Sequence, residues 1–176
     1  MNEVHKRLDA LVEQGAKAWL FDLRANPGGT GSRDMASMFL DGEALWHRTF
    51  RDGTEDVVSA DRKLRLPETH QLPIAILLDA GSWSATEMFA FSLRAAGRAM
   101  IVGERSAGRV GVGAGPLPSG ALLGVHKVRT TGPNGEIYNG VGVMPDVMAS
   151  GDEAEAIALR LLRERIAKPA GAVTGR

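Results

Sequence analysis

The chain predicts an α/β fold, a parallel or mixed sheet covered by helices, and three observations carry that prediction. Apolar runs at Ala18-Trp19-Leu20-Phe21, Ile74–Leu78 and Met100-Ile101-Val102 are short and bounded by turn signals, as buried strands are. Helix-spaced apolar stripes fall between them, one at Met35, Met38, Phe39 and Leu40, the other at Ala85, Met88, Phe89, Leu93 and Ala96. The resulting order, strand-helix-strand-helix-strand, is the pattern of a sheet with helices packed on it.

The elements follow in chain order. Val4, Leu8, Leu11 and Val12 make one helical stripe that Gly15 can close. The first apolar run leads into the glycine turn Asn26-Pro27-Gly28-Gly29, and the second helix starts after Gly31-Ser32. Residues 45–50 alternate Leu45, His47 and Thr49 with Trp46, Arg48 and Phe50, which predicts a strand. The charged stretch 51–70, with a turn at Asp52-Gly53, reads as an exposed hairpin or loop. The helix after Ile74–Leu78 ends at Gly97. Residues 108–115 read as a glycine-rich loop beside the candidate site. Residues 122–128 and 137–143 read as the two arms of a hairpin turning at Pro133-Asn134-Gly135. Ala154, Ile157, Ala158, Leu161 and Leu162 mark a last helix capped by Ser150 or Asp152, and the Pro/Gly/Ala-rich tail from Lys168 is expected to fray.

Composition narrows the function classes. The 176 residues suffice for one domain with a core, and 44% are hydrophobic, as in ordinary globular proteins. Acids and bases balance at 21 each, so nothing favours nucleic acid or an anionic membrane as partner. The absence of cysteine excludes disulfides, a thiol nucleophile and thiolate metal sites. No apolar stretch approaches the ~18 residues of a membrane span, and Met1 opens an amphipathic helix rather than a signal peptide.

Ser84 is the candidate nucleophile. It lies in Asp79-Ala80-Gly81-Ser82-Trp83-Ser84-Ala85-Thr86-Glu87, directly after an apolar run and directly before a helical stripe. A serine at a strand-to-helix turn stands clear of the ladder, with neighbouring backbone N–H groups free to meet a carbonyl. The glycine turn at 26–29 follows the other strand, and the two turns together predict a nucleophile and an oxyanion hole. Glu87, in the first helical turn, reads as structural, favoured there by the helix dipole. Asp22 and Arg24 end a buried strand and read as a buried pair or polar anchor. Of the four histidines, only His47 is a candidate internal base; His5, His70 and His126 read as surface or strand residues. No His/Asp/Glu spacing matches a metal site, and the stretch 108–115 lacks the ending of a phosphate loop.

Five segments in order resemble one family. They are Phe21-Asp22-Leu23-Arg24-Ala25-Asn26-Pro27-Gly28-Gly29, Ser82-Trp83-Ser84-Ala85-Thr86-Glu87, Gly97-Arg98-Ala99, Val102-Gly103-Glu104-Arg105-Ser106-Ala107-Gly108, and Gly140-Val141-Gly142-Val143-Met144-Pro145-Asp146-Val147. Together they resemble the catalytic core of the carboxyl-terminal processing (tail-specific) serine proteases, a superfamily that includes the tricorn protease core. The resemblance spans roughly residues 5–150. It implies a crotonase-like stack of strand-strand-helix units, with Ser84 as nucleophile and the Gly29 and Ala85 N–H groups as oxyanion donors. It implies no cofactor, a peptide or protein substrate cut near its carboxyl terminus, and, by analogy with exported relatives, a periplasmic or other extracytoplasmic compartment. Crotonase-like folds often assemble, so a homo-oligomer belongs to the same expectation.

The sequence departs from the family pattern where the base is expected. The lysine general base of the processing proteases falls on Arg109, whose guanidinium cannot accept a proton at neutral pH. The glutamine that follows it falls on Gly113, and the glutamate of the tricorn-like branch falls on Asn139. Arg109 and Asn139 are therefore candidates for the dyad position or for substrate contact, and the tricorn-like base would be a histidine upstream of Met1. The expectation is a single protease core over 1–167 with a flexible tail over 168–176, and with the PDZ domain and upstream segment absent. The competing reading is a catalytically silent relative that binds peptides or other ligands.

Overall fold

The computed structural model describes residues 2–126 and 128–167. In chain order the elements are α1 (Asn2–Glu13), β1 (Trp19–Asp22), α2 (Ser32–Ser37), β2 (Ala44–Phe50), β3 (Glu55–Ser59), β4 (Ile74–Leu78), α3 (Ala85–Ala95), β5 (Ala99–Gly103), β6 (Val112–Pro116), β7 (Leu122–His126), β8 (Val128–Thr131), β9 (Val147–Met148) and α4 (Gly151–Ala167). Short 3-10 turns occupy Arg62–Leu64 and Glu68–His70. A parallel sheet in the order β1-β4-β5-β9 lies beside an antiparallel sheet β3-β2-β8 and a ribbon β6-β7. The chain is thus α/β with mixed strand directions.

Strand β4 is the centre of the parallel sheet, and none of its five residues is accessible to solvent. Both faces are covered, which is why the sequence shows a continuous apolar run instead of alternation. The period-two geometry of the strand then divides its residues between two cores. Ile74, Ile76 and Leu78, with Ile101 of β5, face a large core containing Phe39, Leu45, Phe91 and Leu93. Ala75 and Leu77, with Met100 and Val102, face a smaller core closed by Ala154, Ala158 and Leu162 of α4. Burial of one such Leu or Ile side chain contributes about 1.5–3 kcal/mol.

Helix α3 packs against both sheets, touching β5 on one side and β2 on the other. It is accordingly buried over most of its circumference, from Thr86 to Leu93. Phe91 stacks on Tyr138 with ring centroids 4.3 Å apart and planes 5° from parallel. Burial also pushes the Tyr138 hydroxyl pKa up. At the start of α4 the capping residue is Ser150: its carbonyl accepts from Ala154 N at 2.9 Å and its hydroxyl donates to Glu153 Oε2 at 2.8 Å. Asp152 lies inside the helix. No described helix is long and apolar enough to cross a membrane. The expected fraying beyond Lys168 lies outside the described residues.

Several expectations are corrected. The hairpin of 122–128 with 137–143 does not form. Residues 122–126 pair with β6, and β8 pairs with β2, while 137–143 contribute one isolated bridge, Thr131 with Ile137. The chain does reverse at 132–136, where Gly132 N bonds Glu136 O at 2.8 Å. Beyond it, Gly140 and Gly142 take φ of 75° and 81°, outside strand geometry, and Gly140 N bonds Gly108 O instead. A strand, β6, occupies Val112–Pro116 and so takes up the second half of the segment 108–115 read as a loop. His70 is not a loop residue in solvent: it is buried, and its Nε2 lies 2.9 Å from Asp9 Oδ1 of α1.

Phe91→Ala is expected to lower unfolding stability by about 3–5 kcal/mol, because a buried ring and its stacking partner are both lost. Urea denaturation followed by tryptophan fluorescence measures it. A loss below about 1 kcal/mol would contradict the packing of α3 described here.

Candidate active site

β1 and β4 are neighbours in parallel register, with Asp22 opposite Leu77, so the chain leaves both strands at the same edge of the sheet. In such a sheet the bends outside the strands' carboxyl ends are natural binding sites. Here the two bends are bonded to each other. Asp79 Oδ1 accepts from Ala25 N and from Gly81 N, each at 2.8 Å. Ser82 is fully buried; its hydroxyl donates to Leu23 O at 2.7 Å and accepts from Asp79 N at 3.0 Å. Trp83 N donates to Asn26 O at 3.1 Å, and Asn26 Oδ1 accepts from Gly28 N at 2.8 Å and from the Thr86 hydroxyl at 2.9 Å. Each bond contributes about 1 kcal/mol net, and together they leave the bends one relative position.

Gly28 shows how close the approach is. Its φ is 82°, and a Cβ built there would stand 2.6 Å from Trp83 O, 2.7 Å from Ala85 N and 2.9 Å from Ser84 Cβ. Only glycine fits between the turn and the serine. One peptide bond further, Gly29 has φ 142° and open space beside its α-carbon. Among the described residues, neither the Gly29 amide nor the Ala85 amide has a hydrogen-bond partner.

Ser84 is half-buried and has φ 61° and ψ −123°. Ser84 and Ala25 are the described non-glycine residues with positive φ, and both sit in these bends. Such a backbone costs about 1–3 kcal/mol and persists only where surrounding contacts hold it. Ser84 N is held by Glu87 Oε2 at 3.0 Å, and Ala85 opens α3, where the helix dipole favours negative charge.

Glu87 does more than complement a dipole. It is fully buried and accepts bonds from Ser84 N, from Gly108 N at 2.7 Å, from Arg109 N at 2.9 Å and from the Ser106 hydroxyl. Ser106 Oγ in turn accepts from Val143 N at 2.6 Å, so its hydrogen is directed to Glu87. Four donors suit an acceptor-only carboxylate. The Ser84-x-x-Glu87 spacing, a helix-start signature, was the sequence signal for the first of these bonds.

Arg109 and Asn139 are brought to the same place by backbone. Arg109 is exposed while its amide rests on Glu87; Asn139 Oδ1 accepts from Val110 N at 2.9 Å. His47 Nε2 is 3.1 Å from Pro133 O, which can only accept, so that nitrogen carries a proton and is no base. His126 is exposed on β7. Asp22 and Arg24 do form an anchor: Arg24 Nε donates to Asp22 Oδ1 at 2.8 Å and NH1 to Gly151 O at the start of α4. The Arg24 hydrogen bonds also hold the Asp22 carboxyl below its ordinary pKa. The pair is not a buried one, since the Asp22 side chain is half exposed. Among the described residues no group of three or more acidic or histidine side chains could hold a metal.

A cavity of about 170 Å³ opens between the glycine turn and α3. Phe21, Leu23, Met35 and Phe89 give it an apolar wall, and Gly28 and Ala85 lie at its rim. None of its lining residues carries a charge.

The chain matches known proteins over most of its length. The profile described as Peptidase family S41 covers residues 1–149. A carboxyl-terminal-processing protease of Picosynechococcus is 34% identical over 147 residues, which are 82% of this chain and 34% of that protein. Carboxyl-terminal-processing peptidase 3, chloroplastic, of Arabidopsis thaliana is 31% identical over 153 residues, 85% of this chain and 28% of its own. Among solved structures, a photosystem II D1 C-terminal processing protease superposes with a TM-score of 0.67 at 29% identity, covering 87% of this chain and 40% of that one. This chain spans about a third of the length of the curated relatives it matches.

Glu87→Gln turns an acceptor into a donor inside a ring of donors, so about 1–3 kcal/mol of stability should be lost. Amide hydrogen exchange should quicken at Gly108 and Arg109 more than in β4. Unchanged protection at those two amides would contradict the clamping role of the carboxylate.

Proposed function

This chain belongs to peptidase family S41, and from that premise we propose that it forms the core of a serine-type endopeptidase hydrolysing peptide bonds near protein carboxyl termini. One observation carries the reading: a strained Ser84 lies in contact distance of Gly28, in bends that also hold the Gly29 and Ala85 amides, neither with a partner among the described residues. In this reading Ser84 Oγ attacks the scissile carbonyl and the two N–H groups receive the oxyanion. One such donor contributes about 3–4 kcal/mol to transition-state stabilisation. The uncharged cavity between the turn and α3 takes an apolar side chain of the substrate next to the scissile bond. The substrate backbone lies extended along a strand edge near the glycine loops.

Proton transfer needs a partner for Ser84. Arg109 holds the position of the family lysine and cannot serve, so the acceptor has to arrive on another segment, for which an upstream histidine of the tricorn-like kind fits. Arg109 also favours a second reading, a catalytically silent relative that binds peptides at the same bends. The proposal extends to a crotonase-like core over residues 1–167, supported by the β4-α3-β5 succession in a parallel sheet, and to an extracytoplasmic compartment by analogy.

A fluorophosphonate probe should label the chain at Ser84, and Ser84→Ala should abolish labelling. Arg109→Lys should raise labelling and peptide hydrolysis at least tenfold by restoring an acceptor at the family position. No labelling of the wild-type chain, of Arg109→Lys or of an upstream-extended form would overturn the protease reading in favour of the binding one.

A further inference from the structure

We propose that a second groove, across the end of β2, the end of β7 and the start of β8, binds an acidic stretch of the peptide substrate. The groove has a volume of about 540 Å³, within the range of ligand sites. Phe50, Val128 and Ile137 supply apolar contact, Arg51, Arg129 and His126 line it with basic groups, and among the described residues no carboxylate lines it. In a chain with 21 acids and 21 bases this is a local segregation of charge.

The cations are available. Arg51 and Arg129 are exposed, and neither has a carboxylate partner among the described residues. The neighbouring Arg48 differs: it is bound to Asp56 through two nitrogens and lies over the Phe50 ring, so its charge is already compensated. Of the acids adjacent in sequence to lining residues, Asp52 accepts from Thr54 N at 2.9 Å and Glu136 lies beside the Tyr138 hydroxyl; neither lines the groove. Two unpaired guanidiniums on an apolar floor select carboxylates held on a chain that also offers apolar surface.

The groove is also connected to the site. Asn139 lines one end and fixes Val110 N, while Gly140 N, next in the chain, bonds Gly108 O. Gly108 and Arg109 both rest on Glu87, which holds Ser84 N. A peptide seated here thus touches loops that are bonded, through Glu87, to the backbone of the candidate nucleophile. That the peptide is a substrate rests on the protease reading; binding itself does not.

The Ser84→Ala chain separates the two questions. Fluorescence anisotropy is measured with an amidated heptapeptide carrying two glutamates among apolar residues, with its glutamine twin, and with the glutamine twin bearing a free carboxyl terminus. The glutamate peptide should bind at least tenfold tighter than the amidated glutamine twin at low salt, and salt should shrink the difference. Arg51→Gln with Arg129→Gln should remove the difference, leaving glutamine-peptide binding and the melting temperature unchanged. Equal affinity for both amidated peptides would overturn the proposal, as would an equal effect of the double substitution on both. Recovery of tight binding by the free terminus alone would also overturn it, because the groove would then take a terminal carboxylate. Selective glutamate binding without hydrolysis by the wild-type chain would sink the protease reading and leave the groove standing.

Discussion

The pairing of two bends at the ends of adjacent parallel strands governs this molecule's candidate site. Parallel register puts the ends of β1 and β4 side by side, and side-chain acceptors then lock the turns together. Asp79 reaches from one turn to the Ala25 amide of the other, and Asn26 reaches back to Thr86. A slip of one residue in the β1–β4 ladder would turn every strand side chain to the wrong core and separate Gly28 from Ser84. The core and the site thus depend on the same register. That dependence explains how a backbone as costly as Ser84's can persist: the hydrogen bonds of the bends and the packing of α3 hold it from both sides.

The second constraint is electrostatic. Burying a carboxylate is expensive unless donors surround it, and Glu87 has four. Three of them come from the 106–109 segment, which the apolar pattern alone would leave free to wander. Val143 is added through Ser106, so the glycine-rich stretch 140–143 is tied to the same point. A single first-turn residue of α3 therefore gathers segments distant in sequence around the start of the helix. The Glu87 carboxylate is spent on the backbone and is not free for acid-base work, which leaves the N-terminal end of α3 to receive charge developing near Ser84.

Much of this was legible in the sequence, and for physical reasons. Strands buried on both faces leave continuous apolar runs, so β4 and β5 were visible, and β1, partly exposed at the sheet edge, still shows a short apolar run before the glycine turn; α3 was visible because its stripe ends at Gly97. The two bends were visible because glycine and serine stand where a strand must stop. What stayed hidden depends on partners distant in sequence. Strand β6 is rich in glycine and lacks the side chains that mark strands, so only its pairing with β7 reveals it. Residues 137–143 look extended, but Tyr138 is drawn onto Phe91 and Gly140 onto Gly108. His70 looked like a loop residue because nothing local announces Asp9 as its partner. Glu87's place in the first helical turn announced a structural role and none of the loop contacts.

The proposed convergence of the Gly29 and Ala85 amides on one point beside Ser84 is most directly tested by a crystal structure of the chain with a peptide boronate. The prediction is a boron atom bonded to Ser84 Oγ, with one of its oxygens about 2.7–3.1 Å from both N–H groups. A boronate oxygen turned away from either amide, or a Ser84 hydroxyl rotated into the packed interior, would contradict it.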